Sequence, residues 1–280
     1  MDKQIIDLFI KNAIAEDLGD GDHTSLSTIP SGAQGKARLI IKENGIVAGV
    51  DLALQIFNSV DSSLKVEQFI EDGSEVKYGD IVLNVEGSAH AILLAERLVL
   101  NCMQRMSGIA TKTNAIVRLL KPYKTQVLDT RKTTPGIRFM EKWAVTIGGG
   151  VNHRIGLYDM ILIKDNHVDY AGGIKNAITS ANQYLSEKSK KLQIEIEVRN
   201  LSELKSVLEI GNVNRIMLDN FSIEDLKVAV GLIDGKFVSE ASGGITEENI
   251  LEYAACGVDY ISMGALTHSV KSLDMSLKAF

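Results

Sequence analysis

The chain has 280 residues, 45% of them hydrophobic and 24% charged, with a net charge of −6, two cysteines and three prolines. That length holds one large or two modest domains, because single cores seldom grow past roughly 250–300 residues. The acidic balance excludes bulk attraction to nucleic acid or anionic membrane, and no uncharged run approaches the ~20 residues that span a bilayer. Cys102 and Cys256 are too few for a disulfide framework and suit a reducing compartment. The opening residues, MDKQIIDLFIKNAIAEDLG, mix acids and bases into their apolar pattern and lack the h-region of a signal peptide. A soluble, cytoplasmic enzyme is expected.

Residues 1–120 read as a mixed α+β module. Ile5, Ile6, Phe9, Ala13 and Ile14 recur at helical spacing and predict a helix over 3–17, ending near Gly19. Strands are predicted at 36–42, 64–70 and 81–85, with a helix at 50–60 between the first two. Turn signals flank a short extended piece between Glu71 and Asp80. Residues 88–106 and 108–120 read as two helices meeting at Ser107-Gly108, the second closed by Pro122. The segment 266–280 is expected to pack back on this module.

Residues 121–265 change to alternation. Strands are predicted at 125–128, 160–163, 194–198, 215–218, 237–240 and 260–262, mostly as continuous apolar or β-branched runs, the pattern of a parallel sheet buried on both faces. Helices such as 201–210 and 223–232 lie between them, which is serial βα architecture. Six strands fall short of a regular eight-stranded barrel of ~250 residues. The expectation is an open, incomplete α/β barrel of about six βα units, with an open doubly wound sheet as the alternative.

Reactive groups in parallel α/β folds sit at the C-terminal strand ends. Here those ends carry Asp129-Thr130-Arg131-Lys132, Lys164-Asp165-Asn166-His167, Glu197, Asp219-Asn220, Ser242-Gly243-Gly244 and Gly264. Glu197, Asp219, Ala241 and Met263 recur every 22 residues, a spacing that suggests neighbouring ends around one mouth. Ser242-Gly243-Gly244, followed by Thr246 as a plausible helix N-cap, and Gly264-Ala265 after Met263 offer backbone N–H groups to a phosphate. Between Asp129 and His167 lie six Lys/Arg against four acids, a local +2 in a −8 background. Arg138 and Lys142, four apart on a predicted helix, fit a solvated face. Arg131 and Lys132 do not, because they directly follow a buried strand, so a small polyanionic substrate is expected. Glu197 and Asp219 either hold Mg²⁺ or pair with those same bases.

Long motifs then carry a resemblance. DTRKTTPG (129–136), EKWAV (141–145), GGGVNHRIGL (148–157), LIKDNH (162–167), EIEV (195–198), MLDN (217–220) and EASGGI (240–245) resemble the quinolinate phosphoribosyltransferases. AEDLGDGDHTS (15–25), ERLVLN (96–101) and QRMSGIAT (104–111) extend the match through the N-terminal half. The resemblance implies transfer of phosphoribosyl from phosphoribosyl pyrophosphate to quinolinate with decarboxylation, using Mg²⁺. It implies an N-terminal α/β sandwich, a C-terminal open barrel, and a homodimer or larger assembly whose site is completed across the interface. By the same resemblance, quinolinate meets Thr130, Arg131, Lys132, His153 and Arg154, joined by Arg105 across that interface. The sugar pyrophosphate and its metal meet Lys164, Glu197 and Asp219, with Glu197 preferred over Glu195 because it lies nearer the strand end. The 5′-phosphate lies on Ser242, Gly243, Gly244, Met263, Gly264 and Ala265. The expected catalytic set is Lys132, Lys164, Glu197 and Asp219. The pyridine nitrogen is already nucleophilic, so no general base, covalent intermediate or organic cofactor is expected. Rival readings are a related enzyme that ribosylates another base, a Schiff-base aldolase acting through Lys164, and a carrier module at 64–87.

Overall fold

The computed structural model describes residues 3–280, and these divide into two compact units. The first comprises residues up to Asn114 together with Thr133–Gly149 and Leu266–Phe280; the second comprises Ala115–Lys132 and Gly150–Ala265. In chain order, α1 (Lys3–Leu18) and α2 (His23–Thr28) precede β1 (Gln34–Ile41), β2 (Gly45–Ile46), α3 (Val50–Val60), β3 (Lys65–Gln68), β4 (Glu75–Val76), β5 (Ile81–Ser88) and α4 (Ala89–Leu120). Then come β6 (Gln126–Leu128), α5 (Arg138–Ile147), β7 (Ile161–Ile163), α6 (Asp165–Tyr170), α7 (Ile174–Glu187), β8 (Ile194–Val198) and α8 (Leu201–Ile210). The chain closes with β9 (Arg215–Asp219), α9 (Ile223–Ile233), β10 (Val238–Ser242), α10 (Ile250–Ala255), β11 (Tyr260–Ser262), α11 (Ala265–His268) and β12 (Met275–Ala279).

In the first unit an antiparallel sheet runs β12-β1-β5-β3, and β2 pairs with β4 in a small ladder. Alternation along β1 sends Ala37, Leu39 and Ile41 inward. They share the core with Leu52, Ile56 and Phe57 of α3 and with Met103, Met106 and Ile109 of α4, all buried. The C-terminal β12 extends the sheet by pairing along β1 from Ala37↔Ala279 to Ile41↔Met275.

Two expectations are corrected here. The break at Ser107-Gly108 does not exist: α4 is one helix of 32 residues. Ser107 stays helical while its hydroxyl accepts from the Ala48 amide at 2.8 Å and donates to the Ala48 carbonyl at 3.1 Å. A Cβ on Gly108 would overlap the Lys271 carbonyl oxygen, so this glycine marks a close approach of two chain segments, not a helix end. The second correction concerns 133–149, expected within the barrel but belonging to the first unit. There Phe139 stacks edge-on against Phe9, ring centres 5.3 Å apart, and Gly148 lies directly against Ala110 and Thr113. Lys142, read as part of a solvated face, is buried at 1% exposure.

The second unit carries a parallel sheet in the order β6-β11-β10-β9-β8-β7. β6 and β7 are its two edges, so the barrel is open, with six strands. Its turns follow local chemistry: Asn200 caps α8 by accepting from the Glu203 amide, and Ser222 caps α9 by accepting from the Asp225 amide. Gly108→Ala tests the close approach in the first unit. An exposed helical site would gain up to ~1 kcal/mol from this change, but here overpacking should dominate and destabilise by about 1–3 kcal/mol, read from urea unfolding.

Candidate active site

Paired residues in a parallel sheet point to the same face, and alternate residues return to it. Glu195 pairs with Arg215, Glu197 with Met217, Met217 with Glu240, and Asp219 with Ser242. One face of the sheet therefore carries Glu195, Glu197, Arg215, Asp219, Glu240 and Ser242 together. The 22-residue spacing is not the ladder register. Val198 lies level with Leu218 and Ala241, so Asp219 stands two residues further along the sheet than Glu197. Stagger of this kind is what curvature of a parallel sheet requires.

Deep on that face, Glu195 and Glu240 are both fully buried. His153 Nε2 lies 2.9 Å from Glu195 and 3.5 Å from Glu240, and Arg215 donates to Glu240 at 2.9 Å. Burial works against a charged imidazole, but the two carboxylates overcome it and raise the His153 pKa. Burial and the neighbouring Glu240 push Glu195 up to about 7. The three side chains are close enough to hold a metal ion, yet His153 Nδ1 already accepts the Arg154 amide at 2.8 Å. With Nδ1 accepting, the ring proton sits on Nε2 and faces the carboxylates, and Arg215 supplies the positive charge at Glu240. The His153 amide also donates to the buried Asp129 at 2.8 Å, and Asp159 accepts from the amides of Ile155 and Gly156 at 2.7 and 2.9 Å. The turn that presents Arg154 is thus held at both ends.

Nearer the strand ends, Lys164 Nζ lies 3.6 Å from Glu197, whose side chain is 10% exposed. Burial raises the Glu197 pKa; Lys164 opposes this, while Asp219 and Asp165 add to it. Lys164, Glu197, Asp219 and Asp165 thus bring charges of both signs to these strand ends. Arg154 is the cationic counterpart: burial and the nearby Arg131 lower its pKa, and Glu195 and Asp159 oppose the change. Arg131 thus acts on the same guanidinium that Glu195 and Asp159 offset. Arg131 and Lys132 are exposed, and the Lys132 amide donates to Thr130 Oγ1 at 3.0 Å. His167 does not join this group through Nδ1, which accepts the Lys164 amide at 3.0 Å and ties down the start of α6.

The glycine loop differs in one respect from expectation. Thr246 is not a helix cap: its amide donates to Asn249, and α10 begins only at Ile250 and spans six residues. No helix dipole starts beside the glycines. What remains is the loop itself, with φ of +97° at Gly243 and +61° at Gly244. A Cβ on Gly243 would overlap the Asn220 side chain, whose Nδ2 donates to Asp219 at 2.6 Å. Gly243, Asn220 and Asp219 are therefore packed as one piece. On the other side of the sheet's β10, the Met263 amide donates to the Leu128 carbonyl at 2.9 Å, which sets Gly264 and Ala265 at the end of β11.

Known proteins match along nearly the whole chain. Residues 22–107 match the quinolinate phosphoribosyl transferase N-terminal domain, and residues 109–278 match the C-terminal domain. The chain belongs to the quinolinate phosphoribosyltransferase family. A quinolinate phosphoribosyltransferase [decarboxylating] of Nicotiana tabacum is 49% identical, covering 96% of this chain and 81% of its own. A probable nicotinate-nucleotide pyrophosphorylase [carboxylating] of Methanocaldococcus jannaschii is 46% identical, covering 96% and 95%. The structure of the nicotinate-nucleotide pyrophosphorylase from Francisella tularensis superposes with a TM-score of 0.93 at 39% identity, covering 100% and 98%. Arg215, Glu240 and Glu141 form buried ion pairs that the strand-end reading did not single out, although Glu141 and Glu240 lie within the motifs EKWAV and EASGGI; Glu195, set second to Glu197 there, lies at the buried level with Glu240.

Removing Arg215 tests the buried cluster. Arg215→Met should leave Glu240 uncompensated and cost about 3–5 kcal/mol at pH 8. Glu195, pushed up to about 7, takes up a proton as pH falls to 5.5 and so relieves its repulsion of Glu240, and the deficit should shrink in acid. Denaturant titrations at pH 8 and pH 5.5 measure both.

Proposed function

We propose that this chain transfers the phosphoribosyl group of phosphoribosyl pyrophosphate to quinolinate, releasing pyrophosphate and CO₂ and yielding nicotinate mononucleotide, a step of NAD biosynthesis. Family membership supports the activity. The observation that carries the substrate reading is the gathering of basic residues at these strand ends: Arg131 and Lys132 are exposed, and Arg154 stands on a turn fixed by Asp129 and Asp159. Quinolinate has two adjacent carboxylates, and guanidiniums bind these through paired N–H donors.

Displacing pyrophosphate at C1′ builds positive charge on the ribose and negative charge on the leaving group. Lys164, held at Glu197, is placed to meet leaving-group oxygens as an ammonium. Glu197 and Asp219 would hold Mg²⁺, which neutralises pyrophosphate charge when bound. The Gly243-Gly244 loop and Gly264-Ala265 would take the 5′-phosphate through backbone amides. Attack needs no general base, so alignment by Thr130, Arg131, Lys132 and Arg154 supplies much of the rate. His153, with Nδ1 on the Arg154 amide and Nε2 at the carboxylates, serves this site by holding Arg154. Ribosylation makes the ring cationic, and that cation stabilises the carbanion left as CO₂ departs. Lys164 is about half exposed and faces a carboxylate, unlike the apolar setting of a Schiff-base lysine.

The proposed working form is a homodimer or larger assembly in which Arg105 of one subunit completes the quinolinate site of another. Among the described residues no helix is long and apolar enough to cross a membrane. The cytoplasm is the proposed compartment, supported by two free cysteines, Cys102 being buried with its thiol pushed up to about 12.

The decisive experiment supplies Mg²⁺, phosphoribosyl pyrophosphate and either quinolinate or nicotinate, and follows mononucleotide by chromatography. Product with CO₂ from quinolinate is expected; product from nicotinate alone overturns the decarboxylating assignment. Lys132→Ala and Arg154→Ala should each lower kcat/KM for quinolinate on the order of tenfold to a hundredfold, and full activity in either variant would sink the assignment.

A further inference from the structure

Glu141 is the single acid on α5 and is completely buried. Its Oε1 accepts from Arg105 Nε at 3.1 Å, from Arg105 Nη2 at 2.7 Å and from Thr134 Oγ1 at 2.9 Å. Its Oε2 accepts from the Thr134 amide at 3.0 Å. One carboxylate thereby joins a side chain of α4 to the loop that follows β6. Arg105 is held further by the carbonyls of Thr267, through Nη2, and Val270, through Nη1 at 3.3 Å. Of its five N–H groups these contacts occupy four, leaving one on Nη1. The side chain keeps 22% of its surface exposed.

The two elements that meet at Glu141 are the ones that carry quinolinate contacts in the reading above. Arg105 is one such contact, and Thr134 lies two residues beyond Lys132 and three beyond Arg131. We propose that Glu141 is a positioning residue for quinolinate: it sets the direction of the Arg105 guanidinium and anchors the Arg131-Lys132 loop at Thr134. It touches no substrate. The inference rests on the quinolinate reading and assigns it a residue that the strand ends do not contain.

The physical case is one of preorganisation. An arginine free to rotate loses side-chain entropy on closing around a carboxylate, and a flexible loop does the same. Glu141 bears both costs in the folded protein, before substrate arrives. A carboxylate is needed because Arg105 and the Thr134 amide and hydroxyl are all donors. A glutamine in the same place has only one acceptor oxygen and turns an NH₂ toward donors, so it cannot serve both partners.

The test is steady-state kinetics of the full-length enzyme with both substrates varied. Glu141→Gln should raise the quinolinate KM on the order of tenfold or more, while the phosphoribosyl pyrophosphate KM stays within about twofold. Thr134→Val, which removes only the hydroxyl contact, should give a smaller rise with the same selectivity, and keeps the proposal testable if Glu141→Gln folds poorly. Arg105→Ala should raise the quinolinate KM alone, and adding Glu141→Gln to it should cost less than Glu141→Gln costs in the native background. If Arg105→Ala raises that KM while Glu141→Gln and Thr134→Val leave it unchanged, the positioning role is overturned and the quinolinate reading stands. Equal rises for both substrates, or strict additivity with Arg105→Ala, also overturn it. If Arg105→Ala has no effect on quinolinate, the reading of Arg105 falls and this inference with it.

Discussion

Five parallel ladders of backbone hydrogen bonds hold the six strands of the second unit in one direction, and the candidate site depends on that direction. Parallel pairing delivers every strand's C-terminal end to the same rim. It also aligns side-chain parity, so the acids and the arginine of β8, β9 and β10 share a single face. Charges on such a face are costly to desolvate. The protein meets that cost in depth order: Glu195 and Glu240 are matched by His153 and Arg215 at the buried level, and Glu197 meets Lys164 nearer the rim. The outermost charges, Arg131 and Lys132, are exposed.

The buried level does structural work for the rim. His153 is gripped at three points, by Asp129 at its amide, by the Arg154 amide at Nδ1 and by carboxylates at Nε2. Each contact restricts the turn on which Arg154 stands. Glu141 plays a similar part in the first unit, where a single carboxylate carries four hydrogen bonds. In both places a buried carboxylate holds the turn or the side chain of an arginine: Asp129 at the His153 amide, Glu141 at Arg105. The tight glycine at 243 likewise makes room for Asn220, which donates to Asp219.

Much of this was legible in the chain. The helices at 50–60 and 201–210 and the strands at 194–198 and 260–262 have the ends that periodicity predicts, because each is bounded by turn residues and carries one clear period. Expectation failed where a residue's partner lies far off in sequence. Ser107-Gly108 looks like a break, but Ser107 bonds Ala48 and Gly108 makes room for Lys271. Lys142 fits a solvated stripe by spacing and is buried. Thr246 fails for a local reason instead: Asn249, three residues on, ties its amide into a turn.

The sequence by itself determined the layered α/β character, the six parallel strands and the polar residues that end them, since these follow from local period and from chain direction. It also separated Glu197 from Glu195 as the one nearer a strand end. Tertiary structure alone decided that Glu195 belongs with His153 and Glu240, that 133–149 leaves the barrel for the first unit, and that Glu141 sits between Arg105 and Thr134. The physical reason is that a buried charge is defined by its partners, and those partners are 7 to 87 residues away along the chain, beyond the reach of any local pattern. The net charge of −6 excluded a polymeric polyanion as ligand; only the fold showed which of the 30 basic residues stand together.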